Sequence, residues 1–288
     1  AQQAELSGVF FFGAATPDGD DLFVVGERDA EVRLFCLELE TGKLRWSQLL
    51  AVAELSIARD PVRRSFMAQV AISDGVVVCP TTVGWLSAVD RASHQLLWVH
   101  RYSQPQIGNG AGRRMQNQAM TVPLNWGQRW LTATPVIVGE SVVYTPRGGV
   151  EEAGGGSRVI CLGLHDGRTR WSKPKASNWL AMNGVADNKV LVVGHNQFVA
   201  LSLAEGKELW SVPVPQGEGL LSGLGSIAGD QWHLPLSGGQ LWTLALKNGA
   251  IVSKQWGPPK TMLGNLSMFR GSFISVHATG MSCFEQRE

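Results

Sequence analysis

The sequence predicts an all-β chain, a β-propeller of about six four-stranded antiparallel blades with the last blade incomplete. Three observations predict it. A unit of short alternating strands recurs along the chain. Most copies carry a turn residue followed four positions later by Trp. The composition, 34 Gly and 11 Trp against 2 Tyr, fits one turn and one aromatic plate per repeat.

The copies run over residues 22–46, 76–98, 142–171, 190–210 and 232–256. Their turn residues are Gly42, His94, Gly167, Gly206 and Gly249, at steps of 52, 73, 39 and 43 residues. Propeller blades repeat at roughly 40–50 residues, so the long step carries an insertion, over about 99–134. The terminal aromatics are Trp46, Trp98, Trp171 and Trp210. The fifth copy reaches Trp256 only after three extra residues. A further strand precedes most units, at 8–12, 69–72, 134–137, 181–185, 223–227 and 266–269, which makes four strands per blade. A sixth copy, FISVHATGMSCFEQRE, stops where its outer strand would begin. That predicts a piece of a longer parent chain or an unusual closure.

Each repeated residue has a physical task. The turn Gly permits positive φ in a tight hairpin. The Trp is a large apolar plate, expected to be mostly buried between blades. Ten positions before it lies a small residue (Cys36, Ala88, Cys161 or Ala200) on a strand with little side-chain space. Cys283 falls at the same place by register. Equivalent positions in different blades lie beyond disulfide reach, so four free thiols are expected. The only helix candidate, 51–59, is short.

Composition narrows the function classes. Net charge is +1 and charged residues make up 17%, which gives no electrostatic case for nucleic acid. No run of 18 apolar residues exists, so no transmembrane segment is predicted. No CxxC pair or other metal-ligand spacing occurs, and composition does not break along 1–288, which reads as a single domain.

The stretches LELETGKLRW, LGLHDGRTRW and LSLAEGKELW, with SAVDRASHQLLW in weaker form, resemble the PQQ-like (quinoprotein-type) propeller repeat. The stretches GVVVCPTTVGWLSAVD and LPLSGGQLWTL also look like large secreted bacterial repeat proteins whose role is unassigned. The resemblance implies two contrasting kinds of relative. Quinoprotein alcohol dehydrogenases hold PQQ and a calcium, with Glu, Asn and Asp ligands, and often carry adjacent cysteines. The propeller lipoprotein of the outer-membrane barrel-assembly machinery binds no cofactor. Here no two cysteines are adjacent, and no Glu, Asn and Asp set falls on the dehydrogenase pattern.

Other candidates read as structure. The six His are scattered, and His94 and His165 fall in or beside the repeated turn; no metal site is assigned. The glycines at 148–149 and 154–156 lack the Lys-Ser/Thr of a phosphate loop and read as a long hairpin loop. Glu151 and Glu152 share that loop, a poor mount for paired carboxylates. TPDGDD, 16–21, lacks calcium-loop spacing and reads as a hairpin. The insertion combines Arg113, Arg114, Trp126, Arg129 and Trp130, the residue types that dominate binding hot spots. These five are the candidate contacts for a partner or ligand; the alternative is a loop whose Trp pair anchors it to the scaffold.

Nothing else in the chain looks like the machinery of an enzyme. The sequence therefore reads as a non-catalytic binding or assembly scaffold, secreted or periplasmic and without a cofactor. Its partner would be another protein or other parts of a longer parent chain. The alternative is a quinoprotein-type oxidoreductase with PQQ and calcium in the propeller channel.

Overall fold

The structure, a computed structural model, describes residues 5–61, 63–65, 67–102, 134–146, 158–174, 176, 179–257, 262–277 and 279–285. Its regular elements are strands apart from a short 3-10 turn at Arg63–Ser65. Six antiparallel sheets follow one another along the chain, each formed by consecutive strands.

The first sheet contains β1 (Phe10–Phe11), β2 (Thr16–Asp18), β3 (Asp21–Arg28), β4 (Glu31–Glu38) and β5 (Leu44–Val52). Both β1 and β2 pair with β3, so the first strand of this blade is one strand in two pieces. The second sheet is β6 (Ala71–Ser73), β7 (Val76–Pro80), β8 (Trp85–Asp90) and β9 (Leu96–Arg101). The third is β10 (Val136–Val138), β11 (Ser141–Tyr144), β12 (Arg158–Gly163) and β13 (Thr169–Pro174). The fourth is β14 (Trp179–Ala186), β15 (Lys189–Gly194), β16 (Gln197–Ser202) and β17 (Glu208–Pro213). The fifth is β18 (Ser226–Ala228), β19 (Gln231–Pro235), β20 (Gln240–Ala245) and β21 (Ile251–Trp256). The sixth has three strands, β22 (Asn265–Phe269), β23 (Ser272–His277) and β24 (Gly280–Glu285), in keeping with an incomplete last blade.

The chain divides into two compact units, the first carrying sheets one to three and the second sheets four to six. In the first five blades the second and third strands are buried almost throughout, β7 and β11 at every residue, whereas β24, the third strand of the sixth, is largely exposed. The buried strands face apolar neighbours on both sides and read as continuous hydrophobic runs. Outer strands such as β13, β17 and β21 are instead exposed at every second position or more. Cores form between blades: Phe23, Val25 and Leu34 of the first pack with Val77, Cys79 and Val89 of the second. In the second unit Leu191, Val193 and Phe198 pack with Trp232, Leu234 and Trp242.

The repeated turn has one geometry in five blades. The turn residue has φ of 66° at Gly42, 62° at His94, 63° at Gly167, 69° at Gly206 and 72° at Gly249. In each, its N–H bonds back to the residue four earlier, as in Gly42 to the Glu38 carbonyl and His94 to the Asp90 carbonyl. The small residue ten before the Trp pairs directly with it: Cys36 with Trp46, Ala88 with Trp98, Cys161 with Trp171 and Ala200 with Trp210. A β-bulge follows the small residue in all four.

Two expectations need correction. In the fifth blade the position paired with Thr243 is Ser253, not Trp256. Trp256 pairs with Gln240 at the strand end and is 72% exposed, so it is not the repeat aromatic. The three residues counted as extra simply continue β21. Second, the 51–59 stretch is the end of β5 followed by turns, not a helix. The four repeat tryptophans are mostly buried, as expected: Trp98 is buried, and Trp46, Trp171 and Trp210 are partly exposed on their outer strands. All four cysteines are free, and Cys283 pairs with Ile274 as Ala200 pairs with Leu191.

Candidate functional site

The strand order places two kinds of turn at opposite ends of each blade. At one end lie the turns joining strands one to two and three to four. They are tied together by one backbone bond per blade: Leu39 N–H to the Asp20 carbonyl, Arg91 to Gly75, Leu164 to Glu140, Leu203 to Asn188 and Leu246 to Asp230. Side chains then reach from one blade to the one before. Arg91 bonds the Asp18 carboxylate, the Asp18 carbonyl at 3.1 Å and Asp21 at 3.1 Å. Arg45 adds a second cation 2.8 Å from Asp21. Asp18 and Asp21 are thus engaged by arginines, on either side of the two-residue loop Gly19–Asp20.

One blade further on, His165 takes the corresponding role. Its Nε2 lies 3.2 Å from Asp74 of the second blade and 3.4 Å from Glu140 of its own. All three side chains are exposed. Sequence inspection misses this cluster because its members lie 91 residues apart and share no motif; only their turn positions unite them.

The opposite end holds a buried polar latch that the sequence also conceals. Glu27, fully buried at the end of β3, accepts the Ile57 N–H at 2.6 Å and pairs with Arg63. Arg63 also donates to the Leu55 carbonyl at 2.7 Å and to Thr82 of the second blade at 3.1 Å. The pair fastens the connection between blades one and two to both. Beside it, Tyr102 donates to the Thr81 carbonyl at 2.8 Å, and its ring centroid lies 5.5 Å from that of Tyr144. Burial pushes the Tyr102 phenol up to about 12 and raises that of Tyr144 as well, so both stay protonated. The 99–134 insertion leaves β9 and re-enters β10 at this end. Arg113, Arg114, Trp126, Arg129 and Trp130, like the 148–156 glycine runs and Glu151 and Glu152, lie outside the described residues.

No activated nucleophile emerges among the cysteines whose shifts are resolved. Burial, with the nearby Asp21 charge, pushes the Cys36 thiol up to about 12, and burial alone raises Cys79 and is the main cause at Cys161. Protonated thiols in a core are inert packing groups. The described residues place the four cysteines in four different sheets, with no adjacent pair. Their one convergent set of His, Cys, Asp or Glu donors is the exposed Asp74, Glu140 and His165. Among the described residues no helix is long and apolar enough to cross a membrane.

The family model described as outer membrane protein assembly factor BamB matches residues 2–122 and 121–258. The chain belongs to the BamB family. Its two matched stretches together cover most of the repeats. Among curated proteins, outer membrane protein assembly factor BamB from Moranella endobia (strain PCIT) is 24% identical over 300 residues, covering 93% of this chain and 70% of that protein. Among solved structures, BamB from Moraxella catarrhalis aligns with TM-score 0.60 and 18% identity, over 93% of this chain and 70% of that one. A europium-containing methanol dehydrogenase aligns with TM-score 0.53 and 13% identity, over 87% of this chain and 53% of that one. BamB-family members and an enzyme therefore share the propeller fold, and the fold alone does not assign a reaction.

Proposed function

We propose that this chain is a non-catalytic scaffold for outer-membrane protein assembly, working on the periplasmic side by docking other proteins. The observation that carries the reading is the BamB family match across residues 2–258. The geometry supports it. Blades one and two are pinned to each other by buried packing, by the Arg91 clamp and by the Glu27–Arg63 latch, a firm mount for loops that bind. The resolved thiols are held protonated and inert.

The proposed contacts are Arg113, Arg114, Trp126, Arg129 and Trp130, since Arg and Trp carry much of the binding energy at protein interfaces. Co-purification of the chain with the outer-membrane barrel-assembly machinery tests the reading. Replacing the five residues by Ala should reduce recovery at least tenfold while leaving the melting midpoint in place. Unchanged recovery removes the insertion as the contact, and no recovery with the wild type removes the assembly role. Dye-linked alcohol oxidation after adding PQQ and calcium would replace the scaffold by an oxidoreductase.

A further inference from the structure

We propose that Asp74, Glu140 and His165 form a surface site for a divalent transition-metal ion of the zinc type, joining the second blade to the third.

The donor set is one imidazole nitrogen and two carboxylates, with all three ligand atoms within 4.8 Å of one another. Bonds of about 2.0–2.2 Å from zinc to nitrogen or oxygen put neighbouring ligands of a tetrahedron about 3.3–3.6 Å apart. The observed separations from Nε2, 3.2 Å and 3.4 Å, are close to that edge. Hydrogen bonding alone accounts for the cluster poorly. One Nε2–H has a single hydrogen to offer, yet two acids converge on it. Among the described residues, His165 is the one cationic-type side chain paired with either acid. A divalent ion would satisfy both carboxylates and the imidazole together, with water completing the shell at this exposed position.

The backbone holds the three donors in place. Asp74 opens the two-residue loop Asp74–Gly75, with φ of 50° and 72°, between Ser73 and Val76. Glu140 closes the loop Gly139–Glu140 between Val138 and Ser141. His165 follows Leu164, whose N–H bonds the Glu140 carbonyl at 3.0 Å and whose carbonyl accepts the Trp98 indole N–H at 2.7 Å. A set held by tight turns loses little freedom on binding an ion. A nitrogen among the donors favours zinc, copper or nickel over calcium.

Chelator-treated protein titrated with zinc chloride tests the site, with Co2+ as a spectroscopic probe of four-coordination. One zinc per chain is expected, with affinity reduced at least tenfold in His165→Ala and in Asp74→Asn; Asn also suits the left-handed turn position. His277→Ala should bind as the wild type does, and calcium should not compete. Zinc should raise the melting midpoint of the wild type but not of His165→Ala, because the ion binds only the folded turns. Equal zinc binding by wild type and both ligand variants, as an adventitious ion only, would overturn the site. So would no uptake at submillimolar zinc.

Discussion

Trp46 lies flat against His94: the ring centroids are 4.3 Å apart and the planes 17° from parallel. Two of the other repeat tryptophans meet the turn glycine of the next blade in the same place. A Cβ built on Gly167 would come within 2.6 Å of the Trp98 ring, and one on Gly249 within 2.7 Å of Trp210. The turn glycine thus serves two purposes, positive φ and room for the neighbour's indole. His94 meets the first requirement at φ 62° and turns the second into a stack.

The turn glycines should therefore differ in sensitivity. Gly42→Ala meets nothing within 4 Å and carries only the left-handed strain, about 1 kcal/mol. Gly167→Ala and Gly249→Ala add a collision with an indole and should cost about 2–4 kcal/mol. Urea midpoints of the three variants, compared at equal m-value, check the ranking.

Trp98→Ala should cost about 3–5 kcal/mol, since it empties a plate-sized space between the second and third sheets and orphans the Leu164 carbonyl. Trp256→Ala, on an exposed strand end, should change stability by less than about 0.5 kcal/mol. Equal effects in thermal denaturation would contradict the assignment of Ser253 to the repeat position.

Glu27→Leu leaves Arg63 buried without its carboxylate and should destabilise by about 3–5 kcal/mol. The double variant Glu27→Leu with Arg63→Met should recover much of that loss, because neither charge then remains buried alone. Amide exchange at Ile57, whose N–H bonds Glu27, reports the latch directly: it should accelerate in either single variant.

Stability should fall as the solution is acidified below about pH 6.5, the ordinary histidine value. Burial holds His233, packed edge-on to Phe273 and bonded to Thr243, below that value, and burial does the same at His100. The unfolded chain takes up these protons before the folded one does. Stability is full above the unfolded value and is lost as pH drops toward the folded values. His233→Gln together with His100→Gln should flatten the dependence of the urea midpoint between pH 7 and pH 5.

Thiol titration should find four groups after unfolding without reductant and one in the folded state. The rapid one is Cys283, exposed on β24; Cys36, Cys79 and Cys161 lie buried in their sheets. A disulfide-depleted count would undo the register that puts Cys36, Cys161 and Cys283 in equivalent places.

Much of this architecture was legible in one dimension. Hairpin turns, buried second and third strands and the small residue opposite Trp depend on neighbours within about twenty residues, and repetition multiplied that local signal. Even His94, the one turn residue that is not glycine, was found by spacing. Trp256 lies near the repeat distance in the sequence, but pairing register gives the repeat position to Ser253.

The sequence by itself determined the blades, because strand alternation and turn chemistry are local. Tertiary structure decided what lies between blades: Arg91 on Asp18 and Asp21, Arg63 on Glu27, and His165 with Asp74 and Glu140. These residues are 25 to 91 positions apart and leave no periodic trace, since all but Glu140 and His165 meet only after whole blades have packed. The physical reason is that a hydrogen-bonded turn is written in adjacent residues, while the convergence of charges from separate turns exists only in the packed fold.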